Sequence, residues 1–175
     1  MGIGLVVLAA LASTFITQSK VYNVQEQVNE MQQNARGALD VMAREIKMAG
    51  YKPNGGTVVG VTYNAAQLKI QADLDASGGI DTNTEEQITY SYDSTNHLIR
   101  RTIGATSQTL AEDIANFTFE YLDANGAITT TTANIRQVRL NLTARTAKAD
   151  PTYPSNSGYR TYEVTAVITP PNLAL

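Results

Sequence analysis

VYNVQEQVNEMQQNARGALDVMAREIKMAGY, residues 21–51, carries the reading on which the fold turns. Its apolar positions are Val21, Val24, Val28, Met31, Ala35, Leu39, Met42 and Ile46, at gaps of 3, 4, 3, 4, 4, 3 and 4. That is one stripe on a helix of period near 3.6. Gln25, Glu26, Gln27, Asn29, Glu30, Gln32 and Gln33 solvate the opposite side. Val28, Met31, Ala35, Leu39, Met42 and Ile46 are therefore expected to pack on another element. Arg44 and Lys47 suit the negative end of a helix dipole. Gly50, Pro53 and the Gly55-Gly56 pair give the stop. Gly37 is the weak point inside, at about 1 kcal/mol relative to Ala.

Upstream, residues 1–17 read MGIGLVVLAALASTFIT, and no Asp, Glu, Lys or Arg occurs before Lys20. A bilayer-spanning helix takes about 20 apolar residues, so this run is slightly short. Ala10, Ala12 and Ser13 could mimic the small residues of a signal-peptide cleavage site. No basic residue precedes the run, however, and the helical pattern does not stop after Thr17. Residues 1–50 read as one helix of roughly 45 residues, on the order of 70 Å. Residues 1–19 form a membrane or filament-core part and residues 20–50 an amphipathic part. Gly4, Leu5, Val6, Val7, Leu8, Leu11, Phe15 and Ile16 are the candidate embedded surface. Gly2, Gly4, Ala9, Ala10, Ala12 and Ser13 are small enough to let helices approach closely. A coiled coil, or a plain anchor with a helical stalk, is the blander alternative.

Downstream, over residues 51–175, the period changes to two. Leu68 and Ile70 alternate with polar neighbours. So do Ile88, Tyr90 and Tyr92; Phe117, Phe119 and Tyr121; Val138, Leu140 and Leu142; and Tyr162, Val164, Ala166 and Ile168. Such alternation marks half-buried antiparallel strands. Turns fall at Asn64, at residues 93–96 and at residues 123–126. Five to seven strands with one apolar face, laid against the matching helix stripe, give an α+β fold.

The chain has 175 residues, enough for one domain with an appendage, and 43% of them are hydrophobic. Its net charge of −3 offers no basic surface for nucleic acid. It has no cysteine, which removes disulfides, thiolate metal sites and thiol catalysis.

The segments MQQNARGALDVMAREIKMAGY, EEQITYSYD, LAEDIANFTFEYLDANG and IRQVRLNLTAR resemble type IV minor pilins of the PilW family. Secretion pseudopilins of the GspJ kind share the layout. The resemblance implies a pilin-like long N-terminal helix packed on an antiparallel β-sheet domain. It implies a subunit that helps prime or cap pilus assembly and contacts major and minor pilins through its helix. It also implies residence in the inner membrane, with a periplasmic domain, and then in a cell-surface filament, at its tip. Members of the family begin with a basic leader ending in Gly, followed by a mature start with Glu at position five. Here position 5 is Leu, and the resemblance places Met1 inside the apolar stretch. A type II secretion pseudopilin and a membrane-tethered ligand-binding or sensor domain are the alternatives.

One loop has metal-site spacing. In DLDASGGID, residues 73–81, Asp73, Asp75 and Ser77 fall at positions 1, 3 and 5 of a calcium loop. Gly78 falls at position 6 and Asp81 at position 9. Position 12 is Thr84 where a bidentate Glu belongs, with Glu85 and Glu86 close by. A polar hairpin loop is the alternative, since Asp, Ser and Gly are ordinary turn residues. His97, the single histidine, reads as an exposed turn residue, and Arg100-Arg101 as a solvated strand face. No catalytic spacing is present, so no enzyme is expected, and no cofactor beyond calcium at that loop.

Overall fold

The computed structural model describes residues 2–173, with side chains from residue 11. The helix α1 runs Gly2–Met48 without interruption. Eight strands follow: β1 (Val61–Thr62), β2 (Gln67–Gln71), β3 (Gln87–Asp93), β4 (Leu98–Ile103), β5 (Thr106–Ala111), β6 (Ile114–Leu122), β7 (Gln137–Arg145) and β8 (Thr161–Ile168). They form two antiparallel sheets, one in the order β1-β2-β3-β4-β5 and one in the order β6-β7-β8. The architecture is a long N-terminal helix packed on antiparallel sheets.

The period-two residues line up across the register. Phe117, Phe119 and Tyr121 oppose Leu142, Leu140 and Val138, which in turn oppose Val164, Ala166 and Ile168. In the larger sheet Leu68 opposes Tyr90, and Ile70 opposes Ile88. Residues opposite one another share a face, so both sheets present apolar rows to the helix. Met31, Ala35, Leu39, Met42 and Ile46 lie buried in that shared core, with Val28 half-buried at its margin. Tyr92 ties the sheets together: its hydroxyl donates to the carbonyls of Ile114 and Ala115, at 2.9 and 2.8 Å.

The helix ends where the backbone turns left-handed. Gly50 has φ 79° and donates its N–H to Gln71 O at 2.9 Å, so the stop is pinned to β2. Gly60, at φ 77°, lies so close that an added Cβ would sit 2.7 Å from Gly50 N and 2.5 Å from the Leu173 side chain. Only glycine fits both demands.

Three expectations need correction. Among the described residues the strands number eight, where five to seven are expected, because β1, β4 and β5 lack the apolar alternation that announces a strand. Arg101 is not a solvated residue: its side chain is 14% exposed and points at the helix. His97 is half-buried, at φ 58°, with Nδ1 3.2 Å from Ile114 O.

Candidate functional site

Two features stand outside the packing core: the N-terminal half of α1 and the acidic loop after β2. From residue 11 to residue 23 every side chain of α1 is exposed. Phe15 is 73% exposed and Tyr22 70%, and Leu11, Ile16 and Val21 are also bare. Leu11, Phe15 and Tyr22 stand at i, i+4 and i+11. At about 100° per residue they form one stripe, roughly 130° around the helix from the sheet-facing residues. The helix therefore carries two apolar faces, one spent on the sheets and one presented outward. Gly4, Leu5, Val6, Val7 and Leu8 belong to the same helix, but their side chains lie outside the described residues.

Among the described residues no helix is long and apolar enough to cross a membrane. The expected membrane-embedded start does not gain support there. After Thr17 the helix turns polar with Gln18, Ser19 and Lys20.

The acidic loop joins β2 to β3. It brings Asp73, Asp75 and Glu86 together, with one carboxylate oxygen from each lying within 4.8 Å of the others. Asp73 and Glu86 are buried and Asp75 is exposed. Each carboxylate accepts backbone hydrogen bonds. Asp73 takes the N–H of Ser77 at 3.0 Å and of Gly78 at 2.9 Å. Glu86 takes those of Leu74, Asp75 and Asp81 at 2.8, 3.1 and 2.8 Å. Asp75 accepts from the Ser77 N–H at 2.9 Å, and its bonds to the Ser77 side chain and backbone hold its carboxyl below the ordinary range. Ser77 Oγ accepts from the Gly79 N–H at 3.4 Å. Asp81 turns its carboxylate to the Asn83 N–H at 2.8 Å, away from the cluster. Of the spaced residues, Asp73 and Asp75 converge, Ser77 and Asp81 serve turns, and Glu86 takes the third place. Sequence spacing misses Glu86 because it lies two residues past the twelfth position, although its nearness to that position is a signal. Chemically the loop offers oxygen atoms only, which suits a hard cation. Those oxygens already satisfy the loop's own N–H groups.

A second polar group sits beneath the helix. Arg101 on β4 reaches Glu45 on α1, Nη2 to Oε1 at 2.8 Å, and also touches Glu85 at 3.5 Å. The fully buried Tyr90 donates its hydroxyl to Glu45. Burial first, then the hydrogen bond and charge of Glu45, push that hydroxyl far above its ordinary range. The group clasps helix to sheet.

Among solved structures, the chain is similar to a type IV-like pilin from Thermus thermophilus, at 16% identity and a TM-score of 0.48, over 82% of this chain and 98% of that one. No protein-family model matches the chain, and no curated protein matches it.

Proposed function

We propose that this chain is a pilin-like structural subunit, a minor pilin that helps prime or cap a type IV filament and performs no catalysis. The observation that supports the reading is the bare half of α1. Leu11, Phe15 and Tyr22 form an exposed apolar stripe on a helix whose other face is already committed to the sheets. Large exposed apolar surface of this kind marks an interaction site. Burying one such side chain contributes about 1.5–3 kcal/mol. Lined against helices of other pilins, the stripe would gain that at several positions in a row. The domain would then hang on the outer side of the bundle, because the sheet-facing stripe points elsewhere. The family resemblance of residues 31–51 supports the same reading, as do the expected partners, other major and minor pilins. The expected location is the inner membrane first and the filament tip afterwards.

The test is recovery of the tagged full chain from sheared surface filaments of its own host. Phe15→Asp and Tyr22→Asp together are expected to lower recovery at least tenfold. The circular dichroism spectrum should not change, since neither side chain is packed in the fold. Equal recovery of variant and native chain removes the helix from the assembly role. Native chain found in the membrane fraction and never in filaments favours a tethered sensor domain instead.

A further inference from the structure

An exposed strand edge is a pairing hazard that natural proteins blunt. Among the described residues the two sheets have four edges, and three are blunted. β1 is two residues long. β8 carries Glu163 near its middle. β6 carries Glu120 and a register shift between Ile114 and Asn116, and its far end is covered by the bridge from Leu122 to Ile128. The fourth edge, β5, is left open. It reads TSQTLA, the one described strand longer than two residues without a charged side chain. It has no proline, and residues 106–109 are exposed.

The geometry of that edge follows from its hairpin. Gly104 and Ala105 form a two-residue turn, with Gly104 at φ 53°, between the paired residues Ile103 and Thr106. The pair flanking such a turn is hydrogen-bonded, and the pattern then alternates. Ser107 and Thr109 therefore direct their N–H and C=O groups away from β4, and no described strand receives them. α1 lies over both sheets: just past its end Gly50 bonds Gln71 O on β2, Asn34 donates to Glu112 O just past β5 at 2.6 Å, and Arg36 stacks on Tyr162 of β8. N-terminal to Asn34 the helix continues past the β5 edge, where Gln27 accepts the Lys148 N–H at 3.1 Å and Val24 lies near Thr146 and Ala149 of the same chain. Residues of α1 and of β5, among them Met31, Asn34, Thr109 and Leu110, line an open crook of about 430 Å³ beneath it.

We propose that β5 pairs edge to edge with β5 of a second copy of this chain, antiparallel and centred on Gln108. A neutral strand can face itself in every antiparallel register without opposing like charges. In this register Ser107 and Thr109 of one copy exchange hydrogen bonds with Thr109 and Ser107 of the other. The two Gln108 side chains meet at a closely spaced pair. Two-fold pairing sets the two projecting helices antiparallel. This pair is thus a different assembly from a bundle of parallel pilin helices, and it stands whether or not the filament reading does.

The absence of cysteine makes the test clean. Gln108→Cys in the full chain, mildly oxidised, is expected to form a disulfide-linked dimer of twice the 18.9 kDa chain mass, at least tenfold more than Thr165→Cys on the charged edge strand β8. Adding Thr109→Pro, which removes an outward N–H, is expected to abolish the link. Adding Phe15→Asp is expected to leave it unchanged, which separates this pairing from helix-mediated association. Equal cross-linking at positions 108 and 165 overturns the proposal. Gln108→Lys gives a second reading without cysteine: the dimer fraction by sedimentation is expected to fall at least fivefold, and an unchanged fraction overturns the proposal as well.

Discussion

At Arg101 the strand pattern and the charge pattern conflict. Its place opposite Tyr90 on β3 puts it on the inward face, where an apolar residue is the rule. The sequence 98–103 therefore does not alternate cleanly, and β4 is hidden from pattern reading. What makes the arginine tolerable is Glu45, fifty-six residues away, and no local rule links the two. Arg101→Met keeps the volume but strands the Glu45 carboxylate under the sheet. Losing one partner of a buried pair costs roughly 3–5 kcal/mol, and partial solvent contact here reduces that to about 2 kcal/mol. A urea titration reads it as a lower midpoint at unchanged slope, and an unchanged midpoint means the clasp contributes nothing. Asp93 is a case where acid matters. Hydrogen bonds from the Asn96 side chain and backbone, then Arg100 at 3.1 Å, hold its carboxyl at about 2, against an ordinary 3.8. A depressed carboxylate stabilises the fold fully above its ordinary value. That contribution fades as the pH falls from about 4 towards 2. In Asn96→Ala the Asp93 midpoint, followed by NMR, is expected to rise towards 3.8, and no movement would discount the turn as its cause.

The loop between β2 and β3 is an element built from its own carboxylates. Glu86 gathers three N–H groups, so it does for this loop what a capping residue does for a helix end. Glu86→Gln replaces one accepting oxygen by an amide NH2, a donor that faces those N–H groups. The expected loss is about 1–3 kcal/mol, read as a lower Tm in chelator. Calcium at this loop is a proposal with its own arm: a rise in Tm on adding calcium, lost in Asp73→Ala with Asp75→Ala, assigns the cation. A flat response leaves the carboxylates as caps alone. The strands β2, β3, β6, β7 and β8 could be read from the sequence because each alternates against a buried face. β5 could not, since an edge strand with exposed residues 106–109 has no apolar row to reveal it. β1 is too short to have a period.

At the scale of the molecule, the division into a long helix and a β-rich body was legible, because Met31 through Ile46 repeat at helical spacing and Leu68 onward repeats at two. The splitting of the strands into two sheets was not. The sheets meet where Tyr92 reaches across to Ile114 and Ala115, a contact that alternation along either strand does not announce. The acidic cluster was half legible, as Asp73 and Asp75 follow a spacing while Glu86 enters only through the β2–β3 pairing.

The packing of α1 along both sheets has a mechanical meaning. Tension applied to the projecting half arrives along the helix axis, parallel to the interface that runs from Met31 to Ile46. That contact is about 23 Å long at 1.5 Å per residue. Load of this direction works as shear. Met31, Ala35, Leu39, Met42, Ile46 and the Glu45 clasp must yield together, whereas peeling would break them one after another. A chain held by its first residues and pulled by its domain is thus strongest along the direction in which α1 leaves the fold.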